Sequence, residues 1–418
     1  MGEPAGWRGR GAWLALFGAL GCEEPDGAAP PERPFVGEEA TADIDAAVVP
    51  PAPRALEGWR DPAPQPPAAS DPLFAEGTIH RIDLSLDPAA RSALDADPRA
   101  DVPATLRYGD DVWTVGLHLK GSFSYRSLAG KASFKVDFEE YEPGRRFFGL
   151  RRITLNGMVQ DRSMIREHEA YWMYARLGVP APRHGYAEVW LDGAPYGLYG
   201  VVESLDGPWA ERVFPNDAEG PIYEGGYGVD LEAGDAPRFD LQRQGDLAEP
   251  YGDIAALIDE LDATAPEDFL AWLDRRFDTV ALFRMWAVDL LGGHRDGYVK
   301  RKNNFLLYHA LRADRWSMVP WGQDQMFRDG MEVHGGYAGE LAQRCAEVPA
   351  CMARLDGAIA YVLGVWEAWD LHGHATGTGA TVEAACARDP RKELPCGYER
   401  ELDMILARPD EVRAELGL

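Results

Sequence analysis

The sequence predicts an α+β fold, with a strand-rich first part followed by a mainly helical second part. Short runs that alternate apolar and polar residues, as half-buried strands do, recur between residues 79 and 203. From residue 254 onward, apolar residues recur mostly at helical spacing. One strand-like pair, at 304–321, interrupts the second pattern.

Length and charge restrict the classes of function. A chain of 418 residues makes one large or two medium domains. Its formal charge of −27 argues against a nucleic-acid binder and against peripheral binding to an anionic lipid surface. A protein with this charge needs a local basic patch if it is to hold phosphates.

The N-terminus has the pattern of an export signal. Two arginines precede an apolar run at 12–20 that is too short to span a bilayer. The run ends in Ala-Leu-Gly-Cys, which resembles a bacterial lipobox, so residues 1–21 are predicted to be a signal peptide and Cys22 the lipid-bearing N-terminus. An ordinary secretory signal cleaved nearby is the alternative. Residues 22–72, rich in Pro, Ala and acidic residues, are predicted to be a disordered tether.

The remaining four cysteines agree with export. Cys345 lies close to Cys351, and Cys386 to Cys396. Four cysteines allow three pairings; local pairs are the simplest of them. An oxidising compartment favours disulfides, whereas the rival, a zinc site, lacks C-x-x-C spacing and a histidine in step.

In the first part, strands and two helices follow from local pattern. Pro88–Asp95 can form a short helix, and the apolar face between Met164 and Ala175 predicts a longer one, begun by caps at 161–163. Asp192-Gly193 is a strong hairpin signal. The predicted strands are 79–86, 106–108, 112–119, 131–138, 153–156, 186–191 and 196–203.

In the second part, residues 207–250 are rich in Gly and Asp and are expected to be irregular. The runs 304–308 and 316–321 predict a β-hairpin. The predicted helices are 254–261, 269–273, 276–291, 355–369 and 398–406.

The base of this hairpin concentrates polar side chains. Asn304 starts one strand, Asp324 follows the other, and Asp296 lies one loop away. Their oxygens suit Mg²⁺, and a carboxylate there can accept a hydroxyl proton. Phosphoryl transfer from ATP needs this combination. The alternative is that these residues only cap helices or form turns.

The same stretch resembles the CotH (spore coat protein H) kinase family, with its pattern G-N-x-D…N-Y-Y-L-Y…P-W-D-x-D. Asp296 matches the catalytic-loop Asp, and Asn304 and Asp324 match metal ligands. Gly293 stands where the family usually has Asn, and Gly322 replaces the first acid of D-x-D. Blocks in the family's order cover roughly residues 75–330.

The resemblance implies a two-lobed, atypical protein-kinase-like fold, with a β-rich N-lobe at 73–205 and a mainly helical C-lobe at 206–418. It also implies that Lys135 contacts phosphate and that Glu167, within D-x-S-x-x-R-E, pairs with Lys135. Val202 and Glu203 then fall where the hinge touches adenine.

The implied function is transfer of the γ-phosphoryl group of ATP, with Mg²⁺ or Mn²⁺, to a Ser or Thr hydroxyl of an exported or surface protein. The chain would be a monomer anchored to the bacterial envelope by its lipid, with no nucleic-acid partner. Two alternatives stay open. One is a non-catalytic surface lipoprotein that keeps the fold as a binding or structural module. The other is a divalent-cation-dependent carbohydrate- or envelope-binding protein.

Overall fold

The structure is a computed structural model and describes residues 68–417. Its first part is a closed β-barrel. Within those residues the barrel order is β1-β2-β3-β4-β5-β7-β6, and a parallel β1–β6 pair closes it while the other pairs are antiparallel. The strands are β1 (Ile79–Ser85), β2 (Val102–Tyr108), β3 (Asp111–Lys120), β4 (Ser133–Asp137), β5 (Arg152–Asn156), β6 (His184–Leu191) and β7 (Ala194–Glu203).

The barrel follows the predicted alternation. In β1, Ile82 and Leu84 are buried while Arg81 and Ser85 are exposed, so one face fills the barrel core. Strand β2 begins at Val102, four residues before the predicted run 106–108. The predicted hairpin turn at Asp192-Gly193 is confirmed, with φ of 51° and 80°, as expected for a turn with two left-handed residues. Closure into a barrel was not predicted, because alternation fixes the face of a strand and not its neighbours.

Two helices accompany the barrel. Helix α1 (Pro88–Ala96) is capped by Asp87, whose carboxylate accepts a hydrogen bond from the Ala90 amide (2.7 Å). Helix α2 (Arg166–Arg176) follows Asp161, whose carboxylate accepts from the Arg166 amide (3.0 Å). Most of α2 is buried, including charged residues of its first turn, which a one-sided apolar pattern does not predict.

A second sheet carries the predicted hairpin. Its order is β11-β10-β8-β9, formed by β8 (Ile222–Gly225), β9 (Asp240–Arg243), β10 (Phe305–Ala310) and β11 (Arg315–Pro320). The prediction that 207–250 is irregular was wrong where β8 and β9 occur and at helix α3 (Gly207–Val213). Strand β10 is buried along its whole length and pairs on both edges, so β8 is required to satisfy its second edge.

Helices complete the molecule around α6, which is buried from Ala281 to Leu291. They are α4 (Gly252–Ala263), α5 (Phe269–Arg276), α6 (Thr279–Leu291), α7 (Tyr298–Arg301), α8 (Glu340–Ala346), α9 (Pro349–Ala368), α10 (Leu371–Arg388) and α11 (Glu399–Leu416). The sequence did not predict α10, which is rich in Gly and Thr; Asp370 caps it by accepting from the Gly373 amide (2.9 Å). The α+β class is confirmed.

Both cysteine pairs are local, as predicted. Cys345 is bonded to Cys351 and Cys386 to Cys396. The predicted signal peptide 1–21, Cys22 and the tether up to residue 67 lie outside the described residues. Among residues 68–417 no single helix is long and apolar enough to cross a membrane; α8 and α9, bent by 109°, meet that criterion of length and composition only as a pair.

Candidate functional site

A cleft of 560 Å³ brings together four of the residues predicted to form a site. Lys135 comes from β4, Asp296 from the loop after α6, Asn304 from the start of the hairpin and Asp324 from just beyond its end. Lys120 at the end of β3, the loop after it (Gly121–Ser124) and the segment Glu224–Tyr227 form further walls. Residues up to 225 positions apart in the chain, from Arg99 to Asp324, therefore face one space.

Asp296 is held by Asn304. The Asn304 amide nitrogen donates to both the backbone oxygen (3.0 Å) and the carboxylate Oδ2 (3.1 Å) of Asp296. Gly293, where the family usually has Asn, has a φ of +71°, and a Cβ there would lie 2.1 Å from the backbone oxygen of Asp329. Glycine thus permits the close approach on which the position of the Asp296 loop depends.

Gly322 explains how this chain departs from the D-x-D pattern. It has a φ of +58°, and a Cβ there would lie 2.6 Å from the Asn304 side-chain oxygen. The Asn304 amide therefore occupies the space that a side chain at residue 322 would need. In this cleft the oxygen of Asn304 stands next to the position of the missing acid.

Asp324 carries a carboxyl group whose surroundings disfavour its charged form. Burial raises its pKa to about 7, with further contributions from Glu167 and Asp161, while His294 and Lys120 oppose the shift. Its backbone oxygen accepts a hydrogen bond from the Arg166 guanidinium (3.1 Å). A bound cation beside Asp324 would relieve this penalty.

Positively charged side chains also line the cleft. Lys120, Lys135, Arg99 and Arg238 line it, which supplies the local basic patch that an acidic protein needs to hold phosphates. The pKa of Lys135 is lowered, mainly by burial, which Glu224 partly offsets. Lys120 was not predicted as a site residue, although it begins the run Lys-Gly-Ser-Phe-Ser at 120–124, which lines the cleft.

The predicted pairing of Glu167 with Lys135 is wrong: among residues 68–417 the structure gives Lys135 no ion pair. Glu167 instead accepts from the Asn156 amide (2.8 Å) and the Tyr171 hydroxyl (3.3 Å). Burial raises its pKa, and Lys120 is the strongest opposing influence.

Strand register explains this difference. Lys120 pairs with Ser133, whose hydroxyl contacts the Asn156 side chain at 3.5 Å. Lys135 pairs with His118 and Thr154, two residues further along the strands. The row that contains Asn156 is the one that reaches Glu167, and Lys120, in the same row, is the lysine whose charge opposes the raised pKa of this carboxylate.

Arg166 anchors the floor of the site. Its guanidinium contacts Asp161 (3.3 Å) and Glu401 of α11 (2.6 Å), all three being buried, and it also holds the backbone of Asp324. Asp161 and Arg166 were recognised as motif residues, but nothing in the sequence links them to Glu401, 235 residues away from Arg166.

An inner pocket of 220 Å³ adjoins the cleft at Lys135. Val202 and Glu203, predicted to touch adenine, are not among its lining residues: Val202 is packed in the core, and Glu203 is buried between Arg183 (2.7 Å) and Arg212 (2.6 Å). The three residues that follow, Ser204–Asp206, line the pocket instead, beside apolar Leu306 and Trp321. Strand β7 ends at Glu203, where the predicted strand also ends, so the pocket lining begins just beyond the strand.

The donor set fits a metal that is shared with phosphate. Among residues 68–417 no three His, Cys, Asp or Glu side chains are close enough to hold a metal by themselves. Magnesium at nucleotide sites commonly binds one or two protein carboxylates or amides together with phosphate oxygens. Asp324 and Asn304 supply one carboxylate and one amide oxygen at the cleft.

Comparison with known proteins shows which family the chain belongs to. A family model described as "CotH kinase protein" matches residues 117–357, which contain all four cleft residues. The inner spore coat protein H of Bacillus subtilis (strain 168) is 25% identical over 254 residues, 58% of this chain and 65% of that protein. An inner spore coat protein H-like protein of the same organism is 34% identical over 74 residues, 18% of this chain and 22% of that protein. The matches therefore span less than two thirds of either relative, but the family model spans more than half of this chain, and the chain belongs to the CotH family.

Proposed function

We propose that this protein is a two-lobed, kinase-like phosphotransferase that moves the γ-phosphoryl group of ATP to a Ser or Thr hydroxyl of a protein. The observation that carries the proposal is that Lys135, Asp296, Asn304 and Asp324 line one cleft. On this proposal the lobes are 73–205 and 206–418, and the cleft lies between the barrel and the hairpin sheet.

Each side chain has a distinct role in this proposal. Asp296 accepts the proton of the attacking hydroxyl at the carboxylate oxygen that Asn304 does not hold. The Asn304 oxygen and the Asp324 carboxylate hold Mg²⁺ or Mn²⁺, which supplies charge neutralisation of the phosphates. Lys120 and Lys135 contact the phosphates, and their fixed positions on the barrel strands keep the transferred group aligned.

The inner pocket is assigned to the nucleobase. A flat apolar ring fits between Leu205, Leu306 and Trp321, and polar groups of Ser204 and Asp206 reach its edge. Burial raises the pKa of Asp206 to about 7, so this carboxyl can donate or accept a hydrogen bond near neutral pH.

The location proposed is the bacterial envelope, through the lipid on Cys22, with the protein acting as a monomer on exported proteins and not on nucleic acid. Two disulfides support an oxidising compartment.

One observation favours a second candidate, a non-catalytic binding module. Gly322 leaves the metal site with a single acid from the D-x-D segment, and the left-handed backbone at this position favours glycine. Such a site holds nucleotide through its cations and Asp324 but positions only one metal, which weakens charge stabilisation during transfer.

The test compares melting temperature and phosphate transfer with Mn²⁺ and ATP. We expect Mn–ATP to raise the melting temperature of the purified protein, and Asp324→Ala to abolish that rise. We expect Asp296→Ala to retain most of the rise but to lose phosphate incorporation. Glu383→Ala, which removes an exposed carboxylate on α10 outside the cleft, is the matched control and keeps both.

The outcomes separate the candidates. A melting temperature indifferent to Mn–ATP refutes nucleotide binding. Stabilisation by Mn–ATP without phosphate incorporation onto any Ser- or Thr-containing protein, including the chain itself, favours the binding module.

A further inference from the structure

The loop closed by the second disulfide packs against residues 126–131, which follow the cleft-lining residues Gly121–Ser124. Cys386 and Cys396 enclose residues that reach across to 126–131, more than 250 positions earlier in the chain. No motif of the phosphotransferase proposal includes this loop, so its contacts require a separate explanation.

A buried ion pair forms the centre of this contact. Lys131 Nζ lies 2.6 Å from Asp389 Oδ2, and both side chains are almost fully buried. Burial lowers the pKa of Lys131, and Asp389 is the principal group that opposes the shift. The Asp389 carboxylate also accepts from the backbone amides of Leu198 (3.0 Å) and Arg391 (2.8 Å). This carboxylate therefore joins the disulfide loop to β7 and to Lys131, which lies two residues before β4.

Two further side chains of the disulfide loop, Arg391 and Glu393, contact residues 126–130. Arg126 forms a two-point ion pair with Glu393, one bond of which is 2.6 Å. Arg391 donates to the backbone oxygens of Ala129 (2.5 Å) and Gly130 (3.2 Å) and lies over the Tyr196 ring at 4.4 Å. The ion pair at Arg126, the hydrogen bonds to residues 129 and 130 and the ion pair at Lys131 together hold the segment from residue 126 to residue 131.

The fixed segment is continuous with the cleft on both sides. Upstream, Gly121–Ser124 line the cleft, and Phe123 is 86% exposed at its mouth. Downstream, Lys131 leads directly into β4, which carries Lys135. The Lys131 backbone also packs close to Gly157, next to the cleft residue Asn156.

We propose that the 386–396 loop is a positioning element for the nucleotide site: through Asp389, Arg391 and Glu393 it holds residues 121–131 in the conformation that covers the phosphates. The effect on nucleotide affinity rests on the proposed function, whereas the ordering of residues 121–131 does not. Since the loop is held closed by a disulfide, the site loses affinity when that bond is absent.

Hydrogen exchange measures the ordering directly. In the double variant Cys386→Ala with Cys396→Ala, we expect amides in 121–131, including those of Tyr125 and Gly130, to exchange roughly tenfold faster than in the wild type. The matched control removes the other disulfide, with Cys345→Ala and Cys351→Ala, and leaves exchange in this segment unchanged. Unchanged exchange in the first variant overturns the proposal.

Nucleotide affinity tests the consequence, by titration calorimetry with Mn–ATP. Arg126→Glu and Glu393→Arg, each alone, should raise the dissociation constant about threefold or more while the melting temperature of the free protein changes little, because the pair is partly exposed. The double exchange, which restores the pair with reversed charges, should recover most of the affinity. A merely structural role predicts instead that the melting temperature of the free protein falls together with the affinity.

The two proposals fail separately. Wild-type affinity in both single variants overturns the positioning role while leaving nucleotide binding intact. If the wild type binds no Mn–ATP, the proposed function fails, and hydrogen exchange alone decides whether the loop orders residues 121–131.

Discussion

Asp206→Asn is expected to stabilise the free protein, and increasingly so as the pH rises. Asp206 is 7% exposed, and its Oδ2 accepts no hydrogen bond from residues 68–417. Burial raises its pKa from 3.8 to about 7; Arg152 opposes the shift and ionised Glu203 adds to it. The unfolded chain therefore releases this proton at lower pH than the folded protein does.

The sign and size follow from linkage. Between about pH 4 and pH 7 the folded state binds the proton and the unfolded state does not, so the free energy of unfolding falls as pH rises. At 1.36 kcal/mol per pKa unit, the raised pKa of Asp206 lowers the free energy of unfolding, relative to its value at acid pH, by about 2 kcal/mol at pH 5 and about 4 kcal/mol at pH 8. Asparagine has nearly the same shape and no charge, so its advantage over Asp should grow by about 2 kcal/mol between these pH values.

Urea unfolding of the two proteins at pH 5, 6, 7 and 8 measures this advantage. The difference between variant and wild type cancels the other titrating groups, provided that they are unaffected by the substitution. Asp240→Asn, which neutralises an exposed carboxylate on β9, is the control, and it shows how much of any pH dependence comes from removing a surface carboxylate. An advantage of Asp206→Asn that stays constant or shrinks towards pH 8 would refute the electrostatic reasoning.

Three other substitutions have defined outcomes. Gly322→Ala should lower the free energy of unfolding in urea by about 2 kcal/mol, because φ is +58° and the new Cβ displaces the Asn304 side chain. It should also weaken stabilisation by Mn–ATP. Full retention of both would contradict the packing described. Arg166→Met should lower the free energy of unfolding by about 3–5 kcal/mol, since Asp161 and Glu401 stay buried without their cation, whereas Arg413→Met, at a partly exposed ion pair, should change it by less than about 1 kcal/mol. Replacing Cys345 and Cys351 together by Ala should lower the free energy of unfolding by about 2 kcal/mol under non-reducing conditions, because the unfolded chain gains the entropy of a short open loop. The wild type unfolded in the presence of a dithiol should lose at least as much stability.

Local pattern in the sequence determined much of this protein. Alternation placed the barrel strands, the Asp-Gly pair placed a turn, and the two runs of the hairpin brought Asn304 and Asp324 to its base. These features depend on residues a few positions apart, whose backbone geometry is set by side-chain periodicity and turn chemistry. Short spacing likewise favoured the local disulfides that the structure contains.

Only the tertiary structure decided which charges meet. Register placed Lys120, and not Lys135, in the strand row that reaches Glu167, and packing brought Glu401 to Arg166 and Asp389 to Lys131. Each of these outcomes depends on which strands are neighbours and on how helices near the C-terminus cover the barrel. No local pattern encodes such contacts, because the free energy of a buried charge depends on surroundings that residues hundreds of positions away provide.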